Sequence, residues 1–212
     1  MLPFNEIFTE NDWKVISNWY NSYEPLKDKM IFRKLPPQKV KTVFYGDSIT
    51  NGFQIHEFFP GASFMNRGLS GDNLSGLYFR MDIDLFPFEP QQVIFLAGIN
   101  CIGDETKKMM AQYEAIGDIL TSRGIKTHFC SILPLRRSET CERYLFQEKV
   151  LEINSLLKEL AERKFASYID YHSSMKDENG ELKAEYAKED GLHLTFEGYC
   201  AMAELLRQKA LL

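Results

Sequence analysis

Cysteine is scarce in this chain. Four are present in 212 residues, Cys101, Cys130, Cys141 and Cys200, and no two form a CxxC pair. Such sparse spacing excludes a disulfide-stapled scaffold and points to reduced, mostly packed thiols in a cytoplasmic protein. Long apolar runs are also missing, with nothing near the roughly 20 residues that a membrane-spanning helix needs. The segment Met1-Leu2-Pro3-Phe4-Asn5-Glu6-Ile7 has neither a basic start nor a leader-length apolar run. A cytoplasmic location is therefore expected, and with it an unmodified sequon at Asn73-Leu74-Ser75. Positive charge is in deficit: 25 Lys and Arg stand against 30 Asp and Glu, a net charge of −5. A surface of that sign repels phosphate backbones. The basic stretch Arg33-Lys34, Lys39, Lys41 is short and broken by Pro36-Pro37, and reads as a solvated connection. Nucleic acid is not an expected partner.

What the chain does have is a hydrophobic fraction of 44% beside 26% charged residues, enough to build a core. Its length falls near that of one domain. The expectation is a single domain over residues 1–212, with residues 1–40 as a helical lead-in packed on it. Strand-like and helix-like text alternate. Lys41–Tyr45, Gln92–Ala97, Lys126–Ile132 and Ala166–Asp170 are short β-branched and aromatic runs, with Ser63–Met65 a weaker one. Between them apolar residues recur at helical spacing: Met109, Tyr113, Ile116 and Leu120; Phe146, Val150, Ile153, Leu157 and Leu160; Tyr199, Met202 and Leu206. Trp13, Ile16, Tyr20 and Tyr23 mark another helix ahead of the first strand, and Leu74–Leu85 also reads as helix. Apolar strands separated by helices predict an α/β fold, a three-layer α/β/α sandwich with about five parallel strands. In such folds ligands bind beyond the carboxyl ends of the strands.

The loops at that end carry the chemistry. Gly46-Asp47-Ser48-Ile49-Thr50-Asn51-Gly52 follows the first strand and offers a hydroxyl. Asn66-Arg67-Gly68-Leu69-Ser70-Gly71-Asp72-Asn73 follows the second, with glycines for close backbone approach and Asp72 as a cap for the next helix. Ala97-Gly98-Ile99-Asn100 follows the third and delivers a carboxamide. Asp190-Gly191-Leu192-His193-Leu194-Thr195 precedes the last helix, for which Thr195 is an N-cap. Each segment alone is ordinary loop composition. Together they supply a hydroxyl, an imidazole, a carboxylate and oxyanion donors, the parts of a serine esterase. His193 could take the proton of Ser48 while Asp190 fixes the imidazole tautomer.

These four blocks resemble those of the SGNH, or GDSL-type, hydrolase superfamily: Gly46-Asp47-Ser48, Gly71 within Gly68–Asp72, Gly98-Ile99-Asn100, and Asp190-Gly191-Leu192-His193. The match runs from about Lys41 to Arg207. It is most similar to the platelet-activating-factor acetylhydrolase catalytic-subunit branch and its bacterial relatives. The resemblance implies a flavodoxin-like fold, Ser48 as nucleophile, His193 as base and then acid, and Asp190 as its partner. It also implies an oxyanion hole of the Ser48 and Gly71 backbone N–H groups and the Asn100 side chain, no cofactor and no metal. Two departures stand out. Ile49 replaces the usual leucine, and Cys101 stands where the family often has aspartate, which puts hydrogen bonding behind the oxyanion hole in question. The related branch forms dimers, so a homodimer is a further expectation.

Other residues compete for these roles. His128 lies inside a strand, His56 follows the nucleophile loop, and His172 beside Asp170 makes an alternative Ser48–His172–Asp170 arrangement. Asp82-Ile83-Asp84 imitates a phosphoryl-transfer motif but no strand precedes it, and a Walker A ending is absent. Thr50 occupies the final glycine position of an α/β-hydrolase elbow. With no long apolar insertion to act as a lid, the expected substrate is a small-molecule ester with a short acyl group, acetyl first, on a lipid or carbohydrate alcohol. Arg67, Arg136 and Arg137 either meet an anionic substrate group or are solvated loop charges, the second reading being preferred. Rival functions are a lysophospholipase or thioesterase acting on longer chains, a non-catalytic binding module on the same fold, and, more distantly, phosphoryl transfer.

Overall fold

The fold is taken from a computed structural model, which describes residues 4–22, 38–165 and 167–211. Five strands, β1 (Thr42–Gly46), β2 (Phe64–Gly68), β3 (Gln92–Leu96), β4 (Lys126–Cys130) and β5 (Ser167–Ile169), form one parallel sheet in the order β2-β1-β3-β4-β5. The register runs Tyr45 opposite Arg67 and Phe95, with Phe95 opposite Phe129 and Phe129 opposite Tyr168.

Strand side chains alternate between faces with period two, and here both faces are buried. Val43, Tyr45, Val93, Phe95 and Phe129 point into one core, closed by the helices Leu74–Phe79, Thr106–Ser122 and Gln147–Lys164. Phe44, Ile94, Leu96 and Cys130 point into the other, closed by Phe196–Gln208 and the short helices Ser48–Gly52 and Tyr171–Met175. This is the expected three-layer α/β/α arrangement. The helical stripes face inward, Phe146 excepted: Met109, Tyr113, Ile116, Leu120, Val150, Ile153, Leu157, Leu160, Met202 and Leu206 are all buried and Tyr199 is nearly so, while Phe146 ends the turn Glu142–Phe146 ahead of its helix and is exposed.

Ahead of β1 lies the helix Glu10–Ser22. Thr9 and Asp12 cap it reciprocally, Asp12 N donating to Thr9 Oγ1 and Thr9 N to Asp12 Oδ2. Lys108 then pins Asp12 at 2.9 Å. Of the predicted stripe, Ile16 is buried, while Trp13 is half exposed and meets Phe79 edge-on. Tyr23, the Tyr20 side chain and the Arg33, Lys34, Pro36 and Pro37 cluster lie outside the described residues.

Three expectations need correction. The second strand is Phe64–Gly68 rather than Ser63–Met65, because parallel pairing with β1 draws Asn66, Arg67 and Gly68 into the sheet. Arg67 is therefore a buried strand residue, its guanidinium 4.4 Å from the Phe88 ring, and not a solvated loop charge. The helix expected over Leu74–Leu85 divides into Leu74–Phe79 and Met81–Asp84 at Arg80, whose φ of −98° and ψ of 3° leave helical geometry. Among the described residues, no helix is long and apolar enough to cross a membrane.

Candidate active site

Ser48 is the first residue of a helix that begins directly at the carboxyl end of β1. Asp47 caps it: the Ile49 N–H donates to Asp47 Oδ1 at 3.0 Å. Burial pushes the Asp47 carboxyl up to about 7, against the pull of that hydrogen bond. Helix and sheet are in close contact here. A Cβ on Gly68 would lie 2.1 Å from the Asn51 backbone nitrogen, so only glycine lets β2 pass this close to the turn that carries Ser48.

His193 arrives from the opposite end of the sequence. Its Nε2 lies 3.0 Å from Ser48 Oγ and its Nδ1 lies 2.6 Å from Asp190 Oδ2. The Asp190-to-His193 turn holds its own shape: the N–H groups of Leu192 and His193 both donate to Asp190 Oδ1, at 2.9 and 2.8 Å. Burial alone would raise the Asp190 carboxyl, but these donors together with the imidazole hold it below its ordinary value. An ionised Asp190 assigns the proton to Nδ1 and leaves the Nε2 lone pair toward the serine hydroxyl. Gly191, at φ +67°, makes the turn possible; a Cβ there would sit 2.1 Å from the Arg136 carbonyl oxygen. Thr195 caps the following helix through Gly198 N, as expected.

The other two blocks stand on the same rim. Gly71 has φ +82°. Asn100 lies in the single turn Ile99–Cys101 after β3 and donates from Nδ2 to the Asp72 carbonyl at 2.8 Å. That bond orients the carboxamide and uses one of its two N–H groups. Cys101 is buried, its Sγ 3.5 Å from the Gly98 carbonyl, and burial pushes its thiol up to about 12. It packs as a neutral side chain behind the turn, and the support of Asn100 comes from Asp72 instead.

Asp72 differs from its expected role. Asn73 is the cap of the next helix, accepting from Gly76 N, while the Asp72 carboxylate pairs with Arg80 at 2.7 Å. Sequence pattern alone does not single out Arg80. Its one signal is a cation inside an apolar helical stretch.

The rival histidines stand apart from this arrangement. His128 is buried in the sheet, with Nδ1 2.7 Å from Ser167 Oγ and Nε2 3.2 Å from Gln92 Oε1. His56 is exposed and rests on the Phe64 ring. His172 is buried, and its neighbour Asp170 caps Tyr171–Met175 by accepting from Ser173 N. The hydrogen-bonded partner of Ser48 is His193. Asp84, in the phosphoryl-transfer look-alike, pairs with Arg80. Arg136 is held by Asp177 and the Leu182 carbonyl, and Arg137 lies over the Tyr144 ring.

The model of the GDSL-like Lipase/Acylhydrolase family matches residues 44–201. No curated protein matches in sequence. Among solved structures, one from Streptococcus pneumonia, provisionally described as a platelet activating factor, is 25% identical with a TM-score of 0.80, over 93% of this chain and 97% of that one. A GDSL-like lipase from Bacteroides thetaiotaomicron is 24% identical with a TM-score of 0.76, over 90% and 97%. An acetylxylan esterase from Geobacillus stearothermophilus is 17% identical with a TM-score of 0.66, over 81% and 94%.

Proposed function

Since this chain belongs to the GDSL-like lipase/acylhydrolase family and is a carboxylic ester hydrolase, we propose that it cleaves short acyl esters, acetyl first, through an acyl-serine intermediate on Ser48. The observation that carries this reading is the continuous line Ser48 Oγ, His193 Nε2, His193 Nδ1, Asp190 Oδ2, with separations of 3.0 and 2.6 Å.

In this mechanism His193 removes the Ser48 proton as Oγ attacks the ester carbonyl. Asp190 stabilises the imidazolium that forms. The carbonyl oxygen, now negative, is met by the backbone N–H groups of Ser48 and Gly71 and by the second N–H of the Asn100 carboxamide. His193 then protonates the departing alcohol, and the same nitrogen activates the water that releases the acid. No step calls for a cofactor.

The short-acyl preference rests on packing. The space next to the nucleophile turn lined by Asp47, Ile49, Leu96, Ile99, Ile132 and Leu192 amounts to about 10 Å³, too small for an alkyl chain, in keeping with a short acyl group. We also read residues 1–212 as one domain acting in a reducing compartment, in keeping with free thiols at Cys101, Cys130, Cys141 and Cys200.

One observation favours a second reading, hydrolysis of longer chains. The turn Glu142–Phe146 carries a largely exposed Leu145 and an exposed Phe146, and Arg143 Nε ties that turn to the Ile99 carbonyl beside Asn100 at 3.1 Å. An acyl chain lying on the surface would find apolar contact there. The kcat/KM on p-nitrophenyl esters from acetate to dodecanoate, with Ser48→Ala as control, separates the readings. Activity falling with chain length supports the short-acyl enzyme, and activity rising with length supports a lysophospholipase or thioesterase. The absence of Ser48-dependent turnover on every ester would leave a binding module.

A further inference from the structure

Arg80 is buried where the helix after β2 breaks, and its guanidinium joins the end of β1 to the segment that runs from β2 to Asp72. Nη2 donates to the carbonyl of Gly46, at the end of β1, at 3.2 Å, and to the carbonyl of Arg67, in β2, at 2.9 Å. Nε donates to the Asp72 carboxylate at 2.7 Å and Nη1 to Asp84 at 3.1 Å. The group lies 4.3 Å from the centre of the Tyr45 ring. A buried cation is tolerated only when its donors are satisfied, and this one is surrounded by two carboxylates, two carbonyls and an aromatic face.

These partners share one property. Gly46 stands two residues before Ser48, Arg67 lies in β2 four residues before Gly71, and Asp72 follows Gly71 directly. Asp72 also orients Asn100 through its carbonyl oxygen. We propose that Arg80 is a positioning residue of the oxyanion hole, setting the spacing of the Ser48 and Gly71 N–H groups and, through Asp72, of the Asn100 carboxamide. It never meets the substrate. The inference rests on the assignment of those three donors made above.

Lysine cannot replace this function. A planar guanidinium fork donates in several fixed directions, whereas an ammonium at one point can meet either the Gly46 and Arg67 carbonyls or the Asp72 carboxylate but cannot hold both sets together. A loosened oxyanion hole lowers transition-state binding more than substrate binding, so the loss belongs in kcat.

The test is Arg80→Lys in the full chain, followed by thermal unfolding, p-nitrophenyl acetate kinetics well below Tm, and the rate of Ser48 labelling by diethyl p-nitrophenyl phosphate. The phosphoryl oxygen of that reagent enters the oxyanion hole. Expected are a KM within about twofold of wild type, a kcat lower on the order of 10- to 100-fold, and a labelling rate lower by a similar factor, the scale of a misplacement near 1 Å. Asp84→Asn, which removes a partner of Arg80 outside both segments, serves as the control for lost stability. Its kcat loss should be much the smaller. If Arg80→Lys does not accumulate as folded protein, Asp72→Asn is measured in the same way, with the same expectation.

Folded variants that keep wild-type kcat and labelling rate would overturn the positioning role, as would a kcat loss no larger than that of Asp84→Asn at equal Tm. A wild-type chain with neither Ser48-dependent turnover nor labelling would instead overturn the acyl-serine reading, and this inference with it.

Discussion

His193 Nε2 and Ser48 Oγ lie 3.0 Å apart although 145 residues separate them in the chain. The carboxyl ends of the parallel strands bring them together, since β1 delivers the serine and the loop before the last helix delivers the imidazole. Groups that act as one unit should fail as one unit.

Ser48→Ala and His193→Ala are each expected to lower kcat on the order of 10⁴- to 10⁶-fold, and the double variant little more than either alone, as in other triads. Asp190→Asn should cost less than either, on the order of 10⁴-fold, because it keeps the turn but removes the charge opposite Nδ1. Steady-state kinetics on p-nitrophenyl acetate measure all four. Near-wild-type turnover in His193→Ala would remove it as the base.

Asn100→Ala should lower kcat on the order of 10²- to 10³-fold with little change in KM, the usual loss for one oxyanion donor. A much smaller effect would mean that the Ser48 and Gly71 N–H groups stabilise the oxyanion by themselves.

Asp47 supplies a pH-dependent contribution to stability. Burial raises its carboxyl from 3.8 to about 7, so between those values the folded state binds more protons than the unfolded one. The stability from this group is fully present below pH 3.8 and is lost as pH rises through about 7. Asp47→Asn keeps an oxygen to accept from Ile49 N and carries no charge. Relative to wild type its Tm should therefore improve from pH 5 to pH 8. A Tm difference independent of pH would contradict the assignment.

Gly191→Ala tests the turn that carries His193. The residue has φ +67° and the new methyl would collide with the Arg136 carbonyl, so both strain and steric overlap oppose it. A loss of about 1–3 kcal/mol in urea unfolding is expected, together with a fall in kcat as the imidazole moves. Unchanged stability would show that the turn relaxes freely.

Much of this architecture is legible locally. Lys126–Ile132 and Gln92–Ala97 announce buried strands because an apolar run bounded by turn residues has few other uses, and β4 and β3 fall within them. The stripe Met109, Tyr113, Ile116, Leu120 announces its helix for the same reason. Thr195 is readable as a cap because its hydroxyl reaches a backbone N–H only three residues away. By contrast β2 was legible only in part. Asn66 and Arg67 look like loop residues until β1 lies beside them, and a strand edge gains its hydrogen bonds only from a neighbour distant in the chain.

The chain's local patterns thus carry the alternation of strands and helices, and from it the rim on which Ser48, Gly71, Asn100, Asp190 and His193 all fall. Periodicity and capping act over a few residues and survive in the bare sequence. Which histidine faces Ser48, how Cys101 packs, and what Arg80 and Asp72 do are set by contacts between segments far apart. Asp170 and Asp190 each stand a few residues or fewer from a histidine. Only the packed molecule turns one to cap a helix through Ser173 N and the other onto the His193 ring. A buried charge such as Arg80 takes its meaning wholly from its partners, because the low-dielectric interior makes those contacts obligatory and the sequence order does not reveal them.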